Sequence, residues 1–176
     1  MTRYVAFLRG INVSGHKKIR MADLRSELSL AGLSNVQTYI QSGNIVFDYS
    51  GTSADARRVV FEVIKSNYGW EVPVLVKTAS DLNSILTACP FSQEKMEKSY
   101  FILLSESSDI KLAQEIQKGS TEIEEFFITS NCVYIYYALG AGKAKLGTNW
   151  FERKLKVIAT ARNFRTMAKL SELVSS

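Results

Sequence analysis

Cationic and amide side chains cluster in one short stretch near the start of the sequence. Residues 9–20 contain no acid and combine glycines with basic and amide groups, namely Arg9, Gly10, Asn12, Gly15, Lys17, Lys18 and Arg20. A loop that carries charge of one sign and is held between regular elements is a common place for function. We therefore predict that this loop faces an anion. His16, the only histidine in the chain, is more typical of a solvated side chain than of a catalytic base.

A second basic segment lies towards the end of the chain. Residues 143–170 hold eight lysines and arginines and a single acid, Glu152, whereas the chain outside this segment and residues 2–22 is net acidic. This uneven distribution predicts a localised anion-facing surface, formed by the 9–20 loop and the 143–165 segment. The candidate ligand-binding residues of the second segment are Lys145, Glu152, Arg153, Arg162 and Asn163.

Several residues of this second segment also have structural interpretations. The spacing of Asn149 and Glu152 predicts a helix N-cap with a reciprocal acidic partner. Asn163 has the position of an N-cap for the last helix. For Arg162, a solvated or ion-paired side chain and an anion-binding side chain are equal alternatives. The glycine-rich stretch 140–147 does not match a phosphate-binding loop, because Lys143 is not followed by Ser or Thr. A solvated loop without a ligand explains this glycine-rich stretch as well as an anion-binding loop does.

Polar residues also separate two β-rich runs in the first quarter of the chain. Residues 36–41 and 44–49 are rich in residues that favour strands and predict two strands, and Ser42-Gly43 between them predicts a tight hairpin. Turn chemistry explains Ser42 and Gly43 and part of Asn44. Gln41, at the end of an apolar strand, can present its amide to a ligand. Gln41, Ser42 and Asn44 are therefore further candidate binding residues.

Hydrophobic periodicity predicts the order β-α-β-β-α-β followed by a helix over residues 1–91, which is the split βαβ or ferredoxin-like unit. A polar linker at 92–99 precedes a similar pattern, and YIQSGNIVF (39–47) echoes FITSNCVYI (127–135). We predict an α+β fold of two tandem ferredoxin-like subdomains, 1–91 and 92–176, that form one compact unit. The second is expected to be degenerate, with its final strand missing or shortened.

Composition narrows the class of protein. The chain has 176 residues and a net charge of +5, and it has no apolar run long enough to cross a bilayer and no signal-peptide pattern. It therefore reads as a cytoplasmic protein without a membrane partner. Cys89 and Cys132 lack the spacing of a metal or disulfide framework, and we expect both to fill the core. No metal site, cofactor or catalytic group is identified.

Three motifs together resemble a bacterial family, domain of unknown function 1697 (DUF1697): FLRGINVSGHKKIRMADLRSEL, VQTYIQSGNIVF and NWFERKLKVIATARNFRTMAKL. The resemblance implies two α+β subdomains in tandem but no activity. Ser14, Ala161 and Phe164 depart from the family's usual residues, and His16 lies outside its pattern. The family pattern falls on Arg9, Gly10, Asn12, Gly15, Lys18, Met21, Leu24, Gln41, Ser42, Gly43, Asn44, Glu152, Arg153, Thr160, Arg162, Asn163, Thr166, Lys169 and Leu170.

Three functions are compatible with these features. The preferred hypothesis is a protein that binds a phosphate-bearing ligand, either a nucleotide or a nucleic acid, on the basic surface. The first alternative is an enzyme that acts on a small anionic substrate, although paired carboxylates, a nucleophile with a histidine, and metal-ligand clusters are not evident. The second alternative is an interaction module without a small ligand. The oligomeric state is not predicted.

Overall fold

The computed structural model describes residues 1–176, and the chain is a mixed α+β protein with two four-stranded antiparallel sheets and seven helices. It divides into two compact units. Unit 1 comprises Met1–Asn83 and Lys169–Ser176, and unit 2 comprises Ser84–Ala168. Two helices cross the boundaries between the units, α3 (Ala79–Thr87) and α7 (Phe164–Ser175). No helix is both long and apolar enough to span a bilayer.

Unit 1 is built on a sheet with the strand order β2-β3-β1-β4. Its elements are β1 (Thr2–Leu8), α1 (Met21–Leu30), β2 (Ser34–Tyr39), β3 (Asn44–Tyr49), α2 (Ser53–Tyr68) and β4 (Val74–Thr78). Alternate residues of β1, Tyr4, Ala6 and Leu8, share one buried cluster with Leu24 of α1 and Val60 of α2. Strand alternation therefore directs one sheet face onto both helices, and the 9–20 loop leaves β1 at the end of this core.

Unit 2 contains a sheet with the order β6-β7-β5-β8. Its elements are α4 (Gln93–Glu97), β5 (Ser99–Leu104), α5 (Ile110–Gln117), β6 (Glu124–Ile128), β7 (Cys132–Tyr137), a 3₁₀ turn (Ala141–Lys143), α6 (Thr148–Leu155) and β8 (Ala159–Asn163). Ile102, Ile116, Val133 and Phe151 belong to one buried cluster that joins the sheet to α5 and α6. Cys132 is buried as expected, and Cys89 is half-buried.

The expectation that the second half lacks or shortens its last strand was wrong. Strand β8 spans five residues, as many as β4, and pairs antiparallel with β5 from Tyr100 to Leu104. The segment ATARN has no apolar run, so its strand character comes from main-chain pairing rather than from hydrophobic patterning. The polar linker at 92–99 contains the short helix α4.

Two local boundaries also differ from the expectation. Strand β2 ends at Tyr39, so four residues, 40–43, connect it to β3 instead of a tight Ser42-Gly43 turn. Helix α6 begins at Thr148 with Gly147 as its N-cap, which places Asn149 inside the helix. The carboxylate of Glu152 does not complete a capping box there. Its Oε1 instead accepts a hydrogen bond of 2.7 Å from the backbone N–H of Ala159, at the start of β8.

A candidate anion-binding groove in unit 1

An open groove lies between the 9–20 loop, the start of α1 and the β2–β3 connection, all within unit 1. Its volume is about 620 Å³. Ten residues line it: Asn12, Lys18, Ile19, Arg20, Met21, Ala22, Arg25, Thr38, Ile40 and Gln41. The set contains three cations and no carboxylate, and with the neighbouring Asp23, 3.7 Å from Arg20, these side chains carry a net charge of 3 − 1 = +2.

The three cations reach the groove from different elements. Lys18 and Arg20 end the loop, and Arg25 lies on α1 one turn beyond Ala22; all three side chains are exposed. Arg25 Nη1 donates to Thr38 Oγ1 at 2.8 Å, which fixes the guanidinium against β2. Arg20 Nε lies 3.7 Å from a carboxylate oxygen of Asp23, a loose and highly exposed pair. Such a pair is weak in water and leaves Arg20 able to turn towards a ligand.

Asn12 holds the loop in place. Its backbone N–H donates to the carbonyl of Lys17 at 3.1 Å, and its side-chain Oδ1 accepts from the backbone N–H of Ile19 at 2.8 Å. Its Nδ2 donates to the carbonyl of Ile19 at 3.1 Å and to the carbonyl of Gln41 at 2.8 Å. One amide therefore closes the loop on itself and ties it to the β2–β3 connection.

Backbone conformation is unusual around the groove. Six non-glycine residues of the chain have positive φ angles, and four of them, Asn12, Ser14, Lys17 and Ile40, belong to the 9–20 loop or the β2–β3 connection. Positive φ is costly for residues with a Cβ atom and persists only where surrounding contacts impose it. The loop and the connection are therefore held in a fixed shape by their surroundings.

Gly43 makes the packing beneath the groove possible. Its φ is +85°, and an added Cβ would lie 2.6 Å from Cβ of Leu8 and 2.9 Å from Cδ1 of Ile11. Its carbonyl accepts a 2.8 Å hydrogen bond from the backbone N–H of Leu8. Because a real side chain does not fit here, glycine is required where the β2–β3 connection crosses the end of β1.

The start of α1 adds to the positive field of the groove. Met21 and Ala22, the first two helical residues, line it, and the N-cap residue Arg20 makes no side-chain capping hydrogen bond. The N-terminal end of a helix carries a partial positive charge from its N–H groups. This contribution supports the three side-chain cations.

The sequence-predicted residues of unit 1 fall into three groups. Asn12, Lys18 and Gln41 line the groove. Asn44 is fully buried and closes the β2–β3 connection, because its Nδ2 donates to the carbonyl of Tyr39 and to Oγ of Ser42, each at 3.0 Å. Arg9 and Gly10 precede the groove residues in the loop, and the backbone N–H of Arg9 donates to the carbonyl of Pro73 at 3.0 Å.

The sequence-predicted residues of unit 2 lie on α6, on β8 and in the loop before α6. Lys145 and Arg153 are exposed, and Asn163 caps α7 as expected, since its Oδ1 accepts from the backbone N–H of Thr166 at 2.9 Å. Arg162 is only 7% exposed, and its Nη1 donates to Thr160 Oγ1 and to the carbonyl of Ala161, each at 2.8 Å. Burial lowers the pKa of Arg162 to about 10, so the guanidinium stays charged near neutral pH.

Sequence reasoning left seven of the ten groove residues out of the candidate list: Ile19, Arg20, Met21, Ala22, Arg25, Thr38 and Ile40. Arg25 follows Ala22 by three positions and so shares its helix face, a spacing that identifies it once the start of α1 is taken as part of the site. Thr38 and Ile40 flank Tyr39 at the end of β2, but the sequence does not show that this strand end faces the loop.

Comparisons with known proteins agree with the fold. The model of the family described as "protein of unknown function (DUF1697)" matches residues 1–134. A solved structure of the conserved bacterial protein SP0830 from Streptococcus pneumoniae is similar with a TM-score of 0.78 and 24% sequence identity, over 98% of each chain. At that identity the likeness concerns the fold alone. A search of curated proteins found no match.

Proposed function

The chain belongs to the DUF1697 family, whose description names no activity, and we propose that it binds a phosphate-bearing ligand, a nucleotide or nucleic acid, in the groove of unit 1. The observation that carries this proposal is the lining of the groove, which has three cations and no carboxylate. Arginine and lysine donors form charge-assisted hydrogen bonds with phosphate oxygens, which are stronger than neutral ones.

Preorganisation supports the same proposal. Asn12 fixes the loop that carries Lys18 and Arg20, and Thr38 fixes the guanidinium of Arg25. A binding loop whose backbone is already ordered loses less conformational entropy when the ligand arrives, and affinity rises accordingly. The groove volume of about 620 Å³ lies within the range of small-molecule sites.

The 143–165 segment of unit 2 is a second proposed contact for phosphate groups. Its Lys145 and Arg153 support this role, because both are exposed to solvent. It stays a prediction that this segment and the 9–20 loop form one basic surface, with Arg9, Arg162 and Asn163 also at the ligand. A cytoplasmic location likewise stays a prediction.

We also propose that each unit is a ferredoxin-like split βαβ fold. In unit 1 the element order β1-α1-β2-β3-α2-β4 with the sheet order β2-β3-β1-β4 supports this assignment. The sheet order β6-β7-β5-β8 supports the same assignment for unit 2. Under this proposal the loop after the first strand, the 9–20 loop, is an elaboration that carries the binding residues.

Removing single groove cations tests the proposed site. We expect Lys18→Ala, Arg20→Ala and Arg25→Ala each to weaken binding of inorganic tripolyphosphate about tenfold, the loss of one charged hydrogen bond. Isothermal titration calorimetry at low salt measures this, and higher salt is expected to weaken binding further because exposed charges are screened.

Arg57→Ala is the matched control, because Arg57 is an exposed arginine on α2 of the same unit and does not line the groove. It removes the same charge as the groove variants and is expected to leave the affinity nearly unchanged. Absence of tripolyphosphate binding to the natural protein contradicts the proposed function. Equal affinities of the groove variants and Arg57→Ala place the ligand elsewhere.

A further inference from the structure

Ile40 combines an unfavourable backbone conformation with an exposed apolar side chain. It lines the groove with a φ of 51° and is 50% exposed. Single exposed apolar residues are ordinary in proteins, and left-handed backbone is ordinary for glycine and asparagine. A β-branched residue in the left-handed region is a clear outlier. Burial does not offset its strain, because half of the side chain remains in water.

The neighbours of Ile40 make an apolar patch beside the cations. Ile19 and Met21 line the same groove and are 3% and 6% exposed, so they form its floor, while Ile40 stands at its rim. The patch and the three cations share one cavity of about 620 Å³. A ligand that fills this cavity can contact both the cationic side chains and the exposed part of Ile40.

The connection that carries Ile40 is fixed rather than loose. The carbonyl of the next residue, Gln41, accepts from Asn12 Nδ2 at 2.8 Å, and the carbonyl of the preceding residue, Tyr39, accepts from Asn44 Nδ2 at 3.0 Å. Hydrogen bonds on both sides hold the strained conformation and aim the side chain at a constant position. Strain that is held in this way at a cavity points to a functional use.

We infer that the groove takes a mononucleotide, with its phosphates on Lys18, Arg20 and Arg25 and its base against Ile40. This inference rests on the proposed function and deepens it, since bare phosphate has no apolar part for Ile40 to contact. A nucleoside base offers a flat apolar face, and placing it against the exposed half of Ile40 removes apolar area from water. Ile40 is thus the residue that distinguishes a nucleotide from inorganic phosphate.

The test compares ATP with tripolyphosphate, both without metal, on the natural protein and on Ile40 variants by isothermal titration calorimetry. Both ligands carry three phosphates, and tripolyphosphate carries more negative charge, so charge alone predicts that it binds at least as tightly as ATP. We expect the natural protein to bind ATP about five- to tenfold more tightly instead, from the apolar area of the base.

The variant Ile40→Asn removes the apolar contact and suits the left-handed backbone. It is expected to abolish the preference for ATP, to leave tripolyphosphate affinity unchanged, and to keep or raise the melting temperature. Ile40→Val retains an apolar branch and is expected to keep most of the preference. If Ile40 has only a structural role, Ile40→Asn is expected to lower the melting temperature and to reduce the affinities for ATP and tripolyphosphate together.

The outcomes separate the two claims. If neither ligand binds the natural protein, the proposed function fails and this inference fails with it. If tripolyphosphate binds, but ATP binds no more tightly or Ile40→Asn keeps the preference, the inference about the base is wrong and the anion site stands. Tighter binding by a short single-stranded oligonucleotide than by ATP also overturns the mononucleotide assignment.

Discussion

Gly43→Ala is expected to destabilise the protein by about 3 kcal/mol, through overpacking together with left-handed strain. The added Cβ would meet Leu8 Cβ at 2.6 Å and Ile11 Cδ1 at 2.9 Å. Leu8 and Ile11 are almost fully buried and belong to the core of unit 1, so they have little room to move away. Urea unfolding followed by circular dichroism measures the change in free energy of unfolding.

Gly10→Ala is the matched control for this experiment. Gly10 also has a positive φ, +71°, but an added Cβ there has no heavy atom within 4 Å. It reports the cost of left-handed alanine alone, about 1 kcal/mol. If the two variants lose the same stability, the close approach of Gly43 to Leu8 does not constrain the fold.

Asn12→Ala is expected to reduce both stability and binding. The substitution leaves the N–H and carbonyl of Ile19 and the carbonyl of Gln41 without the side-chain partner they have now. Ile19 is buried, so we expect a loss of about 2–4 kcal/mol in the free energy of unfolding. Tripolyphosphate affinity should fall at least tenfold although no charge is removed, because the loop that presents Lys18 and Arg20 loosens.

Ser14→Ala separates the side-chain hydrogen bonds from the backbone effect. Ser14 lies in the same loop with a φ of 49° and is exposed, so alanine there meets a similar left-handed strain without loss of the Asn12 bonds. We expect a small change in stability and unchanged affinity. Equal effects of the two substitutions show that Asn12 does not organise the groove.

The sequence anticipated the general fold because hydrophobic periodicity survives wherever an element packs on one face. The amphipathic face of α1, with Met21, Leu24 and Leu28 buried, is of this kind. Strand β8 was harder to foresee, because ATARN pairs with β5 through its backbone and carries few apolar side chains. Its existence depends on a partner strand distant in sequence, which a local pattern does not report.

The site residues predicted from the sequence overlap with the lining of the groove at Asn12, Lys18 and Gln41 only. Composition drew attention to the 9–20 loop, but it does not distinguish the exposed Lys18 from Asn12, whose amide is occupied by backbone groups of the protein itself. Arg25 lines the groove because α1 lies close to β2, as the 2.8 Å bond to Thr38 shows, and the sequence alone does not report that distance. Which carbonyl an amide reaches, and which helix faces a strand end, are three-dimensional facts.

The most direct measurement is a titration of the ¹⁵N-labelled protein with ATP, followed through its backbone amide chemical shifts. We predict that the shifts that change are those of residues 12–25 and 38–41, the walls of the groove. A cavity of about 350 Å³ between α5 and β6 of unit 2 is the internal control, because no charged residue lines it. Changes around that cavity with none at the groove, or no changes at all, would contradict the proposal that unit 1 binds a phosphate-bearing ligand.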